Sequence, residues 1–166
     1  MVLIAIAGAM TLVSVQGAML SFRGDAAMTQ VASAIRQTRD AAIAQRRSVD
    51  LVFVDPNSIQ AFRQDLPEGE TLIAEYALES GVTFDAGGRP DTPDGYGNES
   101  AVDFGDAEVI RFQPDGTLVD GDGVLLNGTI FLARGDQALT ARAVTVTGGS
   151  GRAQGYRWNG ASWQAQ

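Results

Sequence analysis

The apolar and polar positions divide this chain into three regimes. From Met1 to Phe22 the sequence MVLIAIAGAMTLVSVQGAMLSF carries no charge at all. As a helix it would be ~33 Å long, enough for a hydrocarbon core of ~30 Å, and its polar members (Thr11, Ser14, Gln16, Ser21) are uncharged. From Arg23 to Arg47 the pattern turns amphipathic. Met28, Val31, Ala32, Ile35, Ala42 and Ile43 recur at spacings of three, four and seven, one stripe of a helix. Arg36, Arg39, Asp40 and Arg47 fall mostly off that stripe, and Arg36 and Asp40 are spaced to pair across one turn. Together the two regimes predict one helix from residue 1 to about 47, ~70 Å long, with Gly17 or Gly24 as the place for a bend. Met28, Val31, Ile35 and Ile43 are its expected buried contacts.

At Ser48 the period drops from 3.6 to 2. Val49, Leu51 and Phe53 alternate with Asp50, Val52 and Val54, the signature of a half-buried strand. Short alternating runs follow: IQAFRQDLPEGE, TLIAEYAL, VTFD, EVIRFQPDG, VLLNGTIFLAR, ARAVTVTGG and GYRWNGASW. Spacing of this kind predicts antiparallel β-structure. Asn159-Gly160 is a tight hairpin turn by sequence, and Asp55-Pro56 and Asp115-Gly116 are turns of other types. Residues 85–106 form the one long loop, rich in Gly, Pro and Asp; loops of that length tend to be functional or mobile. The expected fold is α+β: a long hydrophobic-then-amphipathic N-terminal helix packed on antiparallel sheet. The expected segments are an apolar helix over 1–22, its amphipathic continuation over 23–48, and a globular β domain over 49–166.

Composition narrows the chemistry. Cysteine and histidine are both absent, which removes disulfides, thiolate zinc sites, imidazole bases and Ser-His triads. Carboxylate pairs such as Glu68/Glu70 sit on Gly-rich turns, where solvation keeps them ordinary, and no G-x-S-x-G elbow occurs. No enzymatic activity, cofactor or small-molecule substrate is expected. Asp120 and Asp122, in the sequence DGDG, are weak candidates for Ca²⁺, which needs six to eight oxygen ligands; Asp-Gly pairs are equally ordinary turn formers. Every basic residue is Arg, and charge is segregated. Residues 1–48 carry five Arg against two Asp, whereas residues 49–166 carry seven Arg against eighteen acids, a net −11. Such an acidic domain repels phosphate backbones at long range.

Three explanations compete for the apolar opening: a cleaved secretion signal, a plain membrane anchor, or a helix that is both anchor and building material. A signal peptide is the weakest, because no Lys or Arg precedes Arg23 and MLSFRGDAAM offers no A-x-A site in the right place. The segment MVLIAIAG resembles the hydrophobic N-terminal helix of type IV pilins and pseudopilins. AIRQTRDAAIAQRRSVDLVF resembles the helix-to-strand passage of the GspH/FimT-like minor pseudopilins, and LESGVTFD, VIRFQPDGTL and ARAVTVTGGSGRAQGY resemble that family's Gly-Val-x-Phe strand, Phe-x-Pro-x-Gly turn and closing Gly-Arg segment. The family's prepilin cleavage site and the Glu at the fifth mature position would fall just before Met1, so the resemblance implies a start upstream. The positive-inside rule agrees, since Arg23, Arg36 and Arg39 follow the apolar span with nothing basic before it.

The resemblance implies a minor pseudopilin-like subunit of a type II secretion pseudopilus or type IV pilus. It would be held in the bacterial inner membrane with its globular domain in the periplasm, then built into a filament with other pilins through the N-terminal helix. Ile4, Ala5, Gly8, Ala9, Leu12 and Val13 would form the membrane- and filament-facing surface, with Ala5, Gly8 and Ala9 permitting close approach of helix backbones. FimT-like members linked to DNA uptake carry Gly-Arg-x-Arg near the C-terminus; this chain has Gly151-Arg152-Ala153-Gln154. Arg152 and Arg157, beside Tyr156 and Trp158, are therefore candidate DNA contacts, set against the net charge and the missing second Arg. DNA is not an expected partner. The alternatives are a DNA-uptake minor pilin, or a membrane-anchored extracytoplasmic binding module.

Overall fold

The computed structural model describes residues 2–79 and 81–166, with side chains from Gly17 onward. Among the described residues one α-helix, α1 (Val2–Gln45), precedes eleven strands. It stops where Arg46 takes φ 51°, and the Arg47 amide donates back to the Ala42 carbonyl at 3.2 Å. This is the left-handed cap that usually employs Gly. α1 is continuous through Gly17 and Gly24.

Strands β1 (Val49–Val54), β2 (Ser58–Gln64), β3 (Glu70–Ala77), β4 (Thr83–Phe84), β5 (Val102–Asp103), β6 (Ile110–Phe112), β7 (Leu118–Val119), β8 (Gly128–Ala133), β9 (Arg142–Thr147), β10 (Arg152–Trp158) and β11 (Trp163–Ala165) form two sheets. The first has the order β3-β2-β1-β6-β7; the second has the order β11-β10-β9-β8-β4, with β5 also pairing β8. Each pairing between these strands is antiparallel. The fold is α+β, as the change of period predicts.

The helix packs across both sheets. Ala27, Met28, Val31, Ala34, Ile35 and Ala42 are buried against Val49, Leu51, Ile59, Phe112, Leu118, Ile130, Leu132 and Val144 in one core. Small residues let the helix sit low: a Cβ on Gly155 would stand 2.8 Å from the Met28 sulfur, so glycine allows β10 to approach α1 closely there. Thr38, buried in the same face, donates its hydroxyl to the Ala34 carbonyl at 2.8 Å. Ile43 departs from expectation. It is 39% exposed, whereas its neighbour Ala42 is fully buried in the core.

The second sheet is covered on both faces, which is why all six residues of β8 are buried. One face meets α1. On the other, Phe131, Ala143, Tyr156 and Trp163 form a smaller cluster beneath the 85–106 loop. Three carboxylates tie that loop down. Asp91 accepts from the Gly97 amide, Asp103 from the Glu99 and Gly105 amides, and Asp94 from Thr145 and from the Tyr156 hydroxyl at 2.9 Å. Burial, then the Asp94 carboxylate beside it, push the Tyr156 phenol up to about 12. The Trp163 indole donates to the Pro90 carbonyl at 2.8 Å. The long loop is thus the outer lid of a core.

Candidate assembly interface

The outward half of α1 and its junction with the sheets present the surface most out of keeping with a self-contained domain. Gly17, Ser21 and Gly24, spaced about one helical turn from each other, face the β domain. A side chain on Gly24 would lie 2.5 Å from the Thr140 carbonyl and 3.1 Å from the Arg142 guanidinium, so glycine here permits close approach and is not a weak point. Arg142, at the start of β9, is fully buried. Its Nε donates to Asp25 at 2.7 Å, Nη1 to the Leu139 and Ala141 carbonyls, and Nη2 to the carbonyl and hydroxyl of Ser21. All five guanidinium donors are therefore used. A buried charge is tolerated only when it is paired and fully hydrogen-bonded, and here it fixes the emergence angle of the helix.

Opposite these contacts the helix turns apolar side chains to solvent. Met19 is 54% and Phe22 71% exposed, three positions apart on the side away from the sheets. Burying a Phe or Met side chain contributes roughly 1.5–3 kcal/mol, and the fold leaves that gain unused at both positions. Among the described residues, no helix is long and apolar enough to cross a membrane. The side chains of Ile4, Ala5, Gly8, Ala9, Leu12 and Val13, the expected membrane- and filament-facing set, lie outside the described residues.

A second convergence lies midway along the helix. Arg39 donates from Nε to the Gly116 carbonyl at 3.1 Å. Gly116, at φ +86°, leaves room for Arg39 and Ile43, and Gly151, at φ +61°, lies against the Arg39 stem and the Gly116 carbonyl. The Phe112-x-Pro114-x-Gly116 turn and the Gly151-Arg152 segment, far apart in sequence, thus meet on one helical arginine. Their glycines are required by that packing. The expected Arg36–Asp40 pair does not form; Arg36 donates to Ser33 at 3.1 Å and the ion pair is Arg39–Asp40 at 4.0 Å.

Beside Arg39 an open groove of ≈ 560 Å³ runs between α1 and β10, with Arg36, Arg39 and Arg152 along its walls. Arg152 and Arg157, the paired DNA candidates, do not come together. They stand five positions apart on β10 and therefore on opposite faces. Tyr156 and Trp158 share Arg152's face of β10, but Tyr156 is buried under the loop and Trp158 packs against Trp163 with ring centroids 5.1 Å apart, so the Tyr156 ring is not free to stack on a base and the Trp158 ring is engaged with Trp163. Asp120 acts as a turn former, accepting from the Asp122 and Val124 amides at 2.9 Å. Asp120 and Asp122 share a shallow depression with Asp106 and Glu108, but no group of three or more acidic side chains among the described residues is spaced to hold a metal ion.

A single long helix laid across antiparallel sheets is the pilin-like α+β architecture. The model of the type II transport protein GspH matches residues 27–153, and the chain belongs to that family. Its members are structural subunits, minor pseudopilins and pilins, and not enzymes. The fold is also that of the crystal structure of the type IV minor pilin FimU from Pseudomonas aeruginosa (strain PAO1): TM-score 0.52 at 13% sequence identity, covering 86% of this chain and 91% of that one. At that identity the likeness speaks to fold alone. No curated protein matches the chain.

Proposed function

We propose that this minor pseudopilin-type subunit works by being built into a pilus-like filament with other pilins through α1. Before assembly its apolar opening is stored in the bacterial inner membrane, with the β domain in the periplasm. Family membership supports the coarse reading. The observation that carries the finer one is the contrast across α1, whose inner face is held by the β domain while Met19 and Phe22 stand bare on its outer side. A surface left apolar by the fold is available first to lipid and then to neighbouring helices.

The test compares the full chain with a version beginning at Gly17, expressed in a bacterium with a working pilus or type II secretion apparatus. The cut must precede Ser21, because Ser21 supplies two of the acceptors that satisfy buried Arg142. The full chain should fractionate with membranes and with sheared filaments; the shortened chain should be soluble and folded and enter neither. A shortened chain that still co-purifies with filaments would place the assembly surface on the β domain and refute the reading.

A further inference from the structure

The first sheet has an edge that the filament reading leaves unused. β3 is its outermost strand and bonds to β2 alone, and the chain continues on both sides of it. The Leu78 amide donates to the Asn57 carbonyl at 2.7 Å, so Leu78, Tyr76 and Ala74 bond towards β2, while Glu75 and Ala77 turn their amides and carbonyls outward. The pairing shifts at Ala61/Phe62 and leaves Ile73 as the extra residue of a bulge. Before the bulge, the Gln64 amide donates to Ser48 on the β1 side. Its partner Glu70, and Leu72 opposite Phe62, therefore face outward too. The Ala77 carbonyl is met by Gln30 Nε2 at 2.6 Å. Among the described residues, no side chain meets the backbone of Glu70, Leu72 or Glu75.

The two sides of this edge differ in chemistry, and the register fixes which residue stands on which. Ile59 and Ala61 of β2 are in the core beneath α1, so Gln60, Phe62 and Gln64 turn to the opposite face, and with them their partners Glu75, Leu72 and Glu70. Leu72 is 47% exposed. Glu75 accepts from the neutral Ser58 and Gln60 side chains, each at 3.2 Å. Among the described residues, none of Glu68, Glu70, Glu75 and Glu79 makes an ion pair. On the α1 side stand Ile73, Ala74 and Tyr76, half-buried, with the Tyr76 hydroxyl donating to Gln37 at 3.4 Å. An open groove of ≈ 400 Å³ runs there between α1 and the sheet, with Asp40 and Ala41 on one wall and Ala61, Ile73, Ala74 and Tyr76 on the other.

We infer that the β3 edge and this groove receive an extended segment of a partner protein that alternates basic and apolar residues, added as an antiparallel strand. Main-chain hydrogen bonds to Leu72 and Glu75 supply affinity, and the two faces supply selectivity. Because Ile73 and Ala74 together oppose one residue across a bulge, Glu70, Leu72 and Glu75 stand beside every second residue of the added strand, all on the outer face. The residues between them enter the groove. A single alternation thus satisfies both sides: basic side chains lie along Glu70 and Glu75, and apolar ones over Ala61 and Ala74. Charged residues on an edge also discourage edges from pairing with one another, but that role needs no groove beside them. The inference does not depend on assembly through α1. A failed edge would leave that assembly intact, and failed assembly would leave the edge measurement standing.

The experiment titrates the isotope-labelled full chain, in neutral detergent micelles, with a blocked peptide alternating Arg and Val, and in parallel with the same peptide carrying Gln for Arg. Hydrogen exchange is followed residue by residue. The Arg peptide should protect the outward amides of Leu72 and Glu75, which are open in the free protein. Its affinity should fall about tenfold in the Glu70→Gln/Glu75→Gln double variant, and further with added salt. Leu72→Pro removes an amide that faces away from β2, a position where an edge strand tolerates proline, and should abolish binding. Ala41→Phe fills the groove from the helix without touching β3 and should do the same, which keeps the test decisive should the proline disturb the strand. Binding of the Gln peptide as tight as that of the Arg peptide would overturn the inference. So would binding that leaves Leu72 and Glu75 unprotected, full binding by Ala41→Phe, or no binding of the Arg peptide at all.

Discussion

The two halves of α1 share one backbone and one apolar character, yet meet opposite fates. From Gly24 to Ala42 the inward side chains are small or branched and almost wholly buried; Val31, Ala34 and Ile35 have no exposed surface. From Gly17 to Phe22 the domain-facing positions are Gly17 and Ser21, while the large residues Met19 and Phe22 point outward. In the docked half apolar residues hold the fold. Along Gly17–Phe22 the contact is made by a glycine, a serine and an arginine network, Leu20 is half-buried, and Met19 and Phe22 are left over. Hydrophobicity alone does not reveal which role a helical residue plays; its phase relative to the sheets does.

Substitutions can sharpen that contrast, each read from thermal or urea unfolding of the full chain in detergent. The largest effect should come from Ile35→Asp, which places an unpaired charge in a site without solvent; a loss of about 4 kcal/mol or more, or failure to fold, is expected. Arg142→Met keeps much of the volume but strands Asp25 and three backbone carbonyls. It should cost about 3 kcal/mol, at the lower end for a broken buried pair because Asp25 is 37% exposed. Gly24→Val, forced against the Thr140 carbonyl, should cost about 1–3 kcal/mol. An unchanged midpoint there would mean that the helix lifts off the junction easily. At the far end, Arg46→Gly should stabilise by about 1 kcal/mol, because Arg46 holds a left-handed conformation that glycine adopts freely.

Periodicity makes the architecture legible. The change from 3.6 to 2 at Ser48 marks the helix-to-strand passage within a few residues, and Met28, Val31 and Ile35 are buried as their spacing predicts. Features without a periodic signal stay hidden. β5 and β7 are two residues long, too short to alternate, and the division into two sheets depends on pairings that no local pattern encodes. Val124 and Leu125 read as the start of a strand, but they are exposed, Leu125 makes only an isolated bridge to Val119, and β8 begins at Gly128. The Asn159-Gly160 turn closes one residue later than its dipeptide suggests: Asn159 pairs with Ser162, and its side chain accepts from the Ala161 and Ser162 amides. Arg142 gives the least local warning. Within ARAVTVT a lone arginine looks like the solvent side of a strand, and only the arrival of Ser21 and Asp25 from the helix makes it a buried anchor. Family resemblance supplies the filament reading, and the geometry explains two of its motifs as packing against Arg39.

The absence of cysteine makes the central claim directly measurable. Met19→Cys and Phe22→Cys, each labelled with a short photoreactive maleimide, can be compared with Val124→Cys, which is 62% exposed on a turn of the β domain. After illumination in cells that express the partner pilins, the two helix positions should yield covalent products with other pilin-like subunits, and the turn position should yield none. The same products from all three positions, or none from either helix position in cells that carry intact filaments, would contradict the claim that the projecting half of α1 is the assembly surface.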